Sequence, residues 1–232
     1  MKREILLTSD GSTTIHLPDW NEQYHSKHGA IQEAYHVFIK SGFELFCDSD
    51  ENENTQESIS ILEIGFGTGL NAFITFLEGV KNHKKIRYVG VEAYPVVSNE
   101  VEKLNYVSEL KATEHETVFD KMHAVTWGQK HQISVDFILT KRKQFFEEIE
   151  DENKFNLIYF DAFGATNQPE LWTEIIFLKM YNALKENGVL VTYAAKGSVR
   201  RAMQTVGFTV ERLAGPPGKR EMLRATKKVS IV

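Results

Sequence analysis

Short runs of apolar residues recur along this chain, and the segments between them carry apolar residues at helical spacing. A continuous apolar run predicts a strand buried on both faces, whereas apolar residues at i, i+3, i+4 and i+7 predict a helix that buries one face. Strands alternating with helices are typical of a doubly wound α/β fold. We therefore predict a mostly parallel sheet of about seven strands, at residues 58–64, 86–91, 133–139, 155–160, 189–193, 208–213 and 222–227.

The segments between these strands predict helices. They cover residues 70–77, 96–110, 112–125, 169–183 and 199–206, and a further helix is predicted to open at residues 141–143. Pro169 suits a first helical position, and Gly188 is predicted to stop that helix. The last two strands are joined by Gly-Pro-Pro-Gly at residues 215–218, so we expect a hairpin that adds an antiparallel edge.

The N-terminal region precedes this pattern and predicts a smaller extension. Two short segments flank residues 9–12, whose Asp-Gly pair favours a hairpin turn. Apolar residues between positions 31 and 38 follow at helical spacing. Residues 48–57 are acidic and poor in apolar side chains, which predicts a loop. We therefore expect a hairpin and helix extension at residues 1–57 and a main domain at residues 58–232.

The first strand of the main domain runs into three closely spaced glycines, Gly65, Gly67 and Gly69. Glycine permits positive φ and close approach of the backbone to a ligand, and the following helix would point its free N–H groups at that ligand. The spacing differs from the dinucleotide pattern, and no Gly-Lys-Ser/Thr follows as in a phosphate loop. Glu63 would attract an ammonium or sulfonium centre and repel a pyrophosphate. We therefore favour adenosylmethionine as the ligand over a nucleotide, or over a turn that merely joins strand to helix.

Two further carboxylates follow predicted strands. Glu92 ends the second strand, where nucleotide-binding folds place an acid that accepts hydrogen bonds from ribose hydroxyls. Asp161 follows the fourth strand. Ligands of open α/β sheets lie outside the carboxyl ends of the strands, so we expect Glu92 and Asp161 to face the same crevice as Glu63.

The composition limits the class of protein. The 232 residues, 42% of them hydrophobic, suffice for one sizeable core. We find neither a signal peptide nor a membrane span in the sequence and expect a cytoplasmic protein. The single cysteine, Cys47, excludes an internal disulfide framework. His25, His28 and His36 lack a matching carboxylate or cysteine pattern, so we expect no metal site.

The net charge of −5 is unevenly distributed. Residues 48–57 hold five acids and no base, and the rest of the chain balances 27 bases against 27 acids. From Lys196 to the end, nine bases face two acids. This positive region would suit a phosphate backbone, although a solvated face that balances an acidic loop explains the charge equally well.

Several stretches together resemble a known enzyme family. The strand plan, the E-x-G-x-G-x-G loop and Glu92 are similar to those of class I adenosylmethionine-dependent methyltransferases, which have a Rossmann-like sheet. More specific stretches resemble the methyltransferase domain of the bifunctional tRNA-modification enzyme MnmC and its stand-alone MnmD-type relatives. These are DGSTT, YHSKHGAIQEAYHVFI, LEIGFGTGLN, YFDAFGATNQPELW and GPPGKREMLRA, and the resemblance covers nearly the whole chain.

The resemblance implies a reaction and a set of site residues. The reaction is methylation of 5-aminomethyl-(2-thio)uridine at the tRNA wobble position, with adenosylmethionine as cofactor and the tRNA anticodon loop as partner. The FAD-dependent oxidase half of MnmC has no room in 232 residues. The family places an acid that positions adenine after the third strand, where this chain has Thr140-Lys141. By motif matching, Glu92 would hold the ribose, and the cofactor would be lined by Glu63, Gly65, Phe66, Gly67, Gly69 and Asn71.

The chemistry of an amine substrate points to further residues. An aliphatic amine is mostly protonated at neutral pH, so Asp161 is predicted to orient it and accept its proton, the alternative being a structural cap of the next loop. Tyr24 and Phe163 would stack on the extruded wobble base. Trp172 lies on a helical stripe and is expected in the core. Lys219 and Arg220, beside the Gly-Pro turn, would contact phosphates.

Two other functions remain compatible with the sequence. An aminopropyltransferase of the spermidine-synthase kind shares the fold and the aspartate after the fourth strand, but it does not need a basic C-terminal region. A non-catalytic nucleic-acid-binding module does not explain Glu63 and Glu92, which would repel phosphate.

Overall fold

A small antiparallel sheet opens the chain in the computed structural model, which describes residues 2–47 and 58–228. Its strands are β1 (Glu4–Leu7), β2 (Thr13–Leu17) and β3 (Glu22–Gln23). β1 and β2 form the predicted hairpin, with Leu7 opposite Thr13. Helix α1 (Ala30–Ala34) follows and continues as a π-helical segment, Tyr35–Lys40. The acidic segment 48–57, predicted to be a loop, lies outside the described residues.

The main sheet has eight strands, one more than the sequence predicts. They are β4 (Ile59–Ile64), β5 (Ile86–Glu92), β6 (Lys130–Ser134), β7 (Phe137–Lys143), β8 (Phe155–Phe160), β9 (Leu184–Thr192), β10 (Thr209–Ala214) and β11 (Glu221–Thr226). Their order across the sheet is β10-β11-β9-β8-β4-β5-β7-β6. The five strands from β9 to β7 are parallel, and β6, β10 and β11 run antiparallel to their neighbours. The predicted mostly parallel α/β fold and its closing antiparallel hairpin are confirmed.

Helices cover both faces of this sheet. They are α2 (Leu70–Lys81), α3 (Ser98–Val101), α4 (Tyr106–Glu109), α5 (Glu116–Ala124), α6 (Glu174–Ala183) and α7 (Gly197–Thr205). Successive side chains of β4 belong to hydrophobic cores on opposite faces of the sheet. Ile61 packs with α2 and α5 on one face, and Leu62 packs with α6 and α7 on the other. Burial on both faces explains why the central strands are continuous apolar runs.

The third predicted strand is wrong, because residues 130–143 form a hairpin of two strands. Its turn at Val135 and Asp136 has neither glycine nor proline to signal it. Residues 141–143, predicted to open a helix, instead extend β7 alongside β5, with Lys141 opposite Gly90. Lys141 is 1% exposed. Its ammonium donates to His123 O over 2.7 Å and lies 5.0 Å from the Trp127 ring centroid, so a buried charge is accommodated within the strand.

Two helix boundaries also differ from prediction. The single helix predicted at residues 96–110 is the pair α3 and α4, with non-helical residues between them. The helix before β9 ends at Ala183, and Gly188 lies within β9, so it does not stop that helix. A shift of pairing register between β8 and β9 accommodates the extra residues there.

The small N-terminal sheet is fixed to the main domain beside the carboxyl ends of the parallel strands. Asn105 Oδ1 accepts the backbone N–H of Thr13 at 2.8 Å. Arg3 forms a salt bridge of 2.9 Å with Glu100 and donates to Tyr94 O at 2.8 Å. The extension therefore forms a wall over the edge at which ligands of open α/β sheets bind.

Candidate active site

A cavity of about 650 Å³ lies between the carboxyl ends of the parallel strands and the N-terminal extension. It is located at the point where the chain order reverses, since β4 leads to β5 on one side and β8 lies on the other. Its walls come from the glycine loop, the tips of β5 and β8, residues 20–28 and the turn between β10 and β11. Such a position and size suit a bound organic cofactor together with part of a substrate.

The glycine loop holds a conformation that other residues would strain. Gly65, Gly67 and Gly69 have φ values of 90°, 49° and 72°. A Cβ on Gly65 would lie 2.6 Å from the backbone oxygen of Asp161, so glycine at this position lets β4 and β8 approach each other at their tips. Gly65 and Gly67 line the cavity, whereas Gly69 lies outside its lining and begins α2.

Phe66, predicted to line the cofactor, has its ring largely buried behind the loop. The residue is 3% exposed and belongs to the α2 and α5 core. A Cβ on Gly90 would lie 2.3 Å from its ring, so a glycine in β5 makes room for it. Phe66 lines the cavity, and its ring also lies 6.0 Å from Trp127 beside a second, smaller cavity. It therefore supports the loop as well as contributing to the wall.

Glu92 lies at the tip of β5 and faces the cavity, as predicted for a ribose acceptor. Its Oε2 accepts the Gly67 N–H at 3.1 Å, and its Oε1 accepts the Tyr94 N–H at 2.9 Å. These bonds fix the carboxylate and couple it to the glycine loop. Each oxygen keeps lone-pair capacity for a ligand hydroxyl.

Asn71 connects two carboxylates at the base of the cavity. Its Nδ2 donates to Glu63 Oε1 and to Asp161 Oδ2, each at 2.9 Å. Asn71 and Asp161 line the cavity, but Glu63 is 0% exposed and lies outside its lining. The expectation that Glu63 lines the cofactor is therefore corrected: an acid inside β4 points into the protein and holds Asn71.

Burial perturbs both of these acids. It raises the pKa of Glu63 well above its usual range, although the Asn71 hydrogen bond opposes this. The pKa of Asp161 is raised to about 7, first by burial and then by the negative charge of Glu33, while Asn71 and Lys219 act in the opposite direction. A carboxyl group with a pKa near neutrality is suited to accept and release protons at physiological pH.

Aromatic side chains form one mouth of the cavity. Tyr24 and Phe163 meet edge to face with ring centroids 5.1 Å apart, and the Trp20 ring also contacts Phe163 edge to face, with a centroid distance of 6.0 Å. All three line the cavity. Trp20 could not be found from sequence, because a single tryptophan close to a proline carries no recognisable spacing. Trp172 is 5% exposed and donates its Nε1–H to Phe163 O at 2.8 Å, so its expected place in the core is confirmed.

The two basic residues after the Gly-Pro turn differ in their surroundings. Arg220 is exposed. Lys219 faces the cavity, where its ammonium lies 2.6 Å from Glu33 Oε1 and 3.8 Å from the centroid of the Tyr193 ring. Glu33 and Tyr193 were not found from sequence, because neither belongs to a recognisable motif.

The cavity wall beside Glu92 is not formed by Thr140 and Lys141, the positions at which the family resemblance places the adenine contact. Because β7 continues to Lys143, Thr140 and Lys141 lie inside the strand and not after it. The cavity wall here is formed by Tyr94, Phe145, Phe146 and Glu147. Tyr94 and Phe145 are exposed and lie 6.1 Å apart, with their rings close to perpendicular. Two exposed aromatic side chains at a cavity rim suit a planar heterocycle.

His25 and His36, two of the three histidines weighed as metal ligands, make separate contacts. His25 lies between the hydroxyls of Thr14, at 3.1 Å, and Thr68, at 3.4 Å. Burial lowers its pKa to about 4. His36 Nε2 donates to Ala214 O at 2.7 Å. Within the ranges 2–47 and 58–228, no group of three or more His, Cys, Asp or Glu side chains is placed to hold a metal ion.

The helices of the described ranges were also compared with the requirements of a membrane span. None of them is long and apolar enough to cross a membrane.

Comparison with curated proteins identifies relatives over most of the chain. MnmC of Leptospira borgpetersenii, named as a tRNA 5-methylaminomethyl-2-thiouridine biosynthesis bifunctional protein, is 29% identical over 213 residues, covering 88% of this chain and 32% of that protein. The protein of the same name from Actinobacillus pleuropneumoniae is 27% identical over 235 residues, covering 95% of this chain and 35% of its own length. The chain thus spans about a third of the length of these relatives.

Solved structures support the fold. MnmC2 from Aquifex aeolicus has a TM-score of 0.76 at 24% identity, covering 98% of this chain and 71% of that chain. Spermidine synthase from Thermotoga maritima has a TM-score of 0.51 at 14% identity, covering 95% of this chain and 70% of its own.

A family match defines the class. Residues 102–228, more than half of the chain, match the family described as S-adenosyl-L-methionine-dependent methyltransferase. The α/β fold and the relatives agree with that match, and the resemblance noted in the sequence is confirmed. The protein therefore belongs to the S-adenosyl-L-methionine-dependent methyltransferase family.

Proposed function

We propose that this enzyme transfers a methyl group from adenosylmethionine to the primary amine of 5-aminomethyl-(2-thio)uridine at the wobble position of tRNA. The product would be 5-methylaminomethyl-(2-thio)uridine. The names of the curated relatives support tRNA as the substrate class. The observation that carries the proposal is the placement of Asp161 in the cavity wall, hydrogen-bonded to Asn71, with a pKa raised to about 7. Because tRNA is the substrate, we place the enzyme in the cytoplasm.

The cavity contains the polar groups that adenosylmethionine requires. Glu92 offers a fixed carboxylate for two ribose hydroxyls. Asn71 Oδ1 is a buried acceptor without a partner among the described residues, and it suits the ammonium of the methionine portion. Tyr94 and Phe145 offer faces for the adenine. Gly65, Gly67 and the start of α2 let the backbone approach the cofactor closely.

Bound adenosylmethionine would supply an electrophilic methyl carbon on a positively charged sulfur. Asp161 accepts one proton from the substrate ammonium, on the oxygen that is not bonded to Asn71. The nitrogen lone pair that Asp161 frees would accept the methyl group, which would form one N–C bond and break one C–S bond, the electron pair of the latter remaining on sulfur. The product amine keeps its remaining protons as an ammonium, and Asp161 returns the transferred proton to solvent.

Positioning contributes the larger part of the expected acceleration. A primary amine aligned with the methyl–sulfur bond reacts as part of one assembly, which removes the entropy cost of bringing the two groups together during the reaction. Asn71 fixes the orientation of Asp161, and Tyr24 with Phe163 forms an aromatic surface on which an unstacked base can lie. Arg220 is exposed, and we propose that it contacts tRNA phosphate.

The test is transfer of labelled methyl from adenosylmethionine into bulk tRNA from cells that lack this gene, followed by nucleoside analysis. Label in 5-methylaminomethyluridine or its 2-thio form supports the proposal, and Asp161→Asn provides the matched inactive control. The second assay offers free diamines with decarboxylated adenosylmethionine. Product there, with no label in tRNA, would overturn the proposal in favour of a spermidine-synthase-like aminopropyl transfer.

A further inference from the structure

An ion pair lies inside the cavity next to the proposed base. Lys219 Nζ is 2.6 Å from Glu33 Oε1, and both residues line the cavity together with Asp161. Glu33 belongs to α1, whereas Lys219 belongs to the turn between β10 and β11. Glu33 is 7% exposed. The Lys219 side chain is 34% exposed, so the pair is partly enclosed and its charges are screened less than those of a surface pair.

Both members of the pair are held in place by other groups. Glu33 Oε2 accepts the Ser26 N–H at 2.8 Å. The Lys219 ammonium lies 3.8 Å from the centroid of the Tyr193 ring, a cation–π contact. The Tyr193 hydroxyl donates to the carbonyl of Ala162 at 2.7 Å, and Ala162 directly follows Asp161. The position of the ammonium is therefore tied to the backbone beside the proposed base.

The two charges act on Asp161 in opposite directions. The carboxylate of Glu33 favours the protonated form of Asp161, and the ammonium of Lys219 favours the ionised form. The other titratable groups that interact with Asp161 are Glu63, Tyr88 and Tyr193. Lys219 is thus the cation that offsets the surrounding carboxylates at this point of the cavity.

We propose that Glu33 and Lys219 form a positioning pair beside Asp161, in which the Lys219 ammonium offsets the Glu33 carboxylate and so limits how strongly Asp161 favours its protonated form. The inference rests on the proposed function. In the proton transfer, an N–H bond of the substrate ammonium breaks and an O–H bond forms on Asp161. Glu33 and Lys219 remain an ion pair throughout.

The experiment compares the pH dependence of kcat/KM for tRNA methylation in single and double variants. Lys219→Met leaves Glu33 uncompensated, so the acidic limb of the profile should move to higher pH by about one unit. Glu33→Gln leaves the ammonium uncompensated, so the limb should move to lower pH by about one unit. The double variant should return close to the wild-type profile, and Lys219→Arg should keep the wild-type position because it keeps the charge.

Opposite shifts distinguish this role from a structural one. If the pair only held the extension in place, the two single variants would lower activity alike without moving the limb in opposite directions. Substrate ionisation is common to all variants and cancels in the comparison. Lys185→Met is the matched control, because Lys185 donates to Asn156 Oδ1 at 3.3 Å near the start of β8. This variant should leave the acidic limb at its wild-type pH. Limbs that stay fixed, or that move in the same direction, overturn the inference.

A measurement without substrate separates this inference from the proposed function. The carboxyl carbon of Asp161 can be titrated by NMR in protein labelled with ¹³C-aspartate, its signal being assigned by its loss in Asp161→Asn. The midpoint should rise in Lys219→Met and fall in Glu33→Gln. If these shifts appear but tRNA is not methylated, the proposed function is wrong, and the effect of Glu33 and Lys219 on the protonation of Asp161 is supported. If tRNA is methylated and the midpoint does not move, only the pair fails.

Discussion

The side-chain nitrogen of Asn71 lies 2.9 Å from Asp161 Oδ2 and donates a hydrogen bond to it. Because Asn71 is in the first turn of α2, this bond connects the end of the glycine loop to the tip of β8. The same nitrogen donates its other hydrogen to Glu63 Oε1. One amide therefore fixes the orientation of the carboxylate that we assign to proton transfer.

Replacing that carboxylate should separate catalysis from cofactor binding. In Asp161→Asn the side chain keeps its shape and can still accept from Asn71, but it cannot take a proton from the amine. We expect the rate of methyl transfer to fall by about 10²-fold or more, with the Kd for adenosylmethionine nearly unchanged. Single-turnover kinetics and calorimetry measure the two quantities. Undiminished transfer would show that Asp161 is not the base.

Removing the bridging amide should destabilise the fold in a pH-dependent manner. Asn71→Leu leaves two carboxyl groups without their shared donor, and we expect a loss of roughly 1–3 kcal/mol in the free energy of unfolding at pH 8. The loss should shrink toward pH 5, because protonation removes the repulsion between the two acids. The control is Thr75→Val in the same helix, α2. It removes a buried hydroxyl that lies 3.2 Å from the Tyr159 hydroxyl. Its cost should be independent of pH in this range.

Asp161 should also affect the pH dependence of wild-type stability. Its pKa is about 7 in the folded protein and 3.8 as an unperturbed group, so between these values the folded state binds a proton that the unfolded state has lost. The contribution of this group to the free energy of unfolding therefore decreases as pH rises from about 4 to 7. Wild-type stability relative to Asp161→Asn should fall across this window in denaturant titrations. A constant difference would mean that the carboxyl has an ordinary pKa.

The aromatic mouth should act on the nucleic acid and not on the cofactor. Phe163→Ala removes the ring that contacts both Trp20 and Tyr24, and stacking of one base is worth about 1–3 kcal/mol. We expect KM for tRNA to rise about tenfold or more, with KM for adenosylmethionine unchanged. An equal rise in both constants would indicate general distortion of the cavity.

The two basic residues after the Gly-Pro turn should differ in their salt dependence. Arg220→Gln should reduce the slope of log Kd for tRNA against log salt by about one, as for the loss of a single phosphate contact. Lys219→Gln should leave that slope unchanged, because Glu33 already neutralises its ammonium inside the cavity. Filter binding across a series of salt concentrations measures both. A reduced slope in Lys219→Gln would place that side chain on phosphate instead.

The acidic residues at the carboxyl ends of the buried strands could be predicted from sequence. A strand buried on both faces is a continuous apolar run, so the acids at its end stand out, as Glu92 and Asp161 do. Lys141 shows the limit of this reasoning. A lysine after an apolar run resembles a strand end, and the cation–π and carbonyl contacts that let it stay inside β7 come from residues distant in sequence.

Groups brought together by tertiary structure could not be predicted in this way. Glu33 resembles an ordinary polar position on an amphipathic helix, and Lys219 one of many bases in a positive C-terminal region. Their contact depends on the N-terminal extension folding over the turn between β10 and β11. No local spacing encodes such a contact, because hydrophobic periodicity reports the face a residue occupies and not its partner.

Glu33 and Lys219 are 186 residues apart in the chain, and this separation has a consequence for synthesis. The strands and loops beside Glu92 emerge from the ribosome early and can pack while translation continues. The end of the cavity that holds Asp161 must wait for the hairpin of β10 and β11, since Lys219 is made 186 residues after Glu33. A nascent chain can therefore pack the wall beside Glu92 before this ion pair can form, so Asp161 acquires its final charged surroundings only once residue 219 has been made.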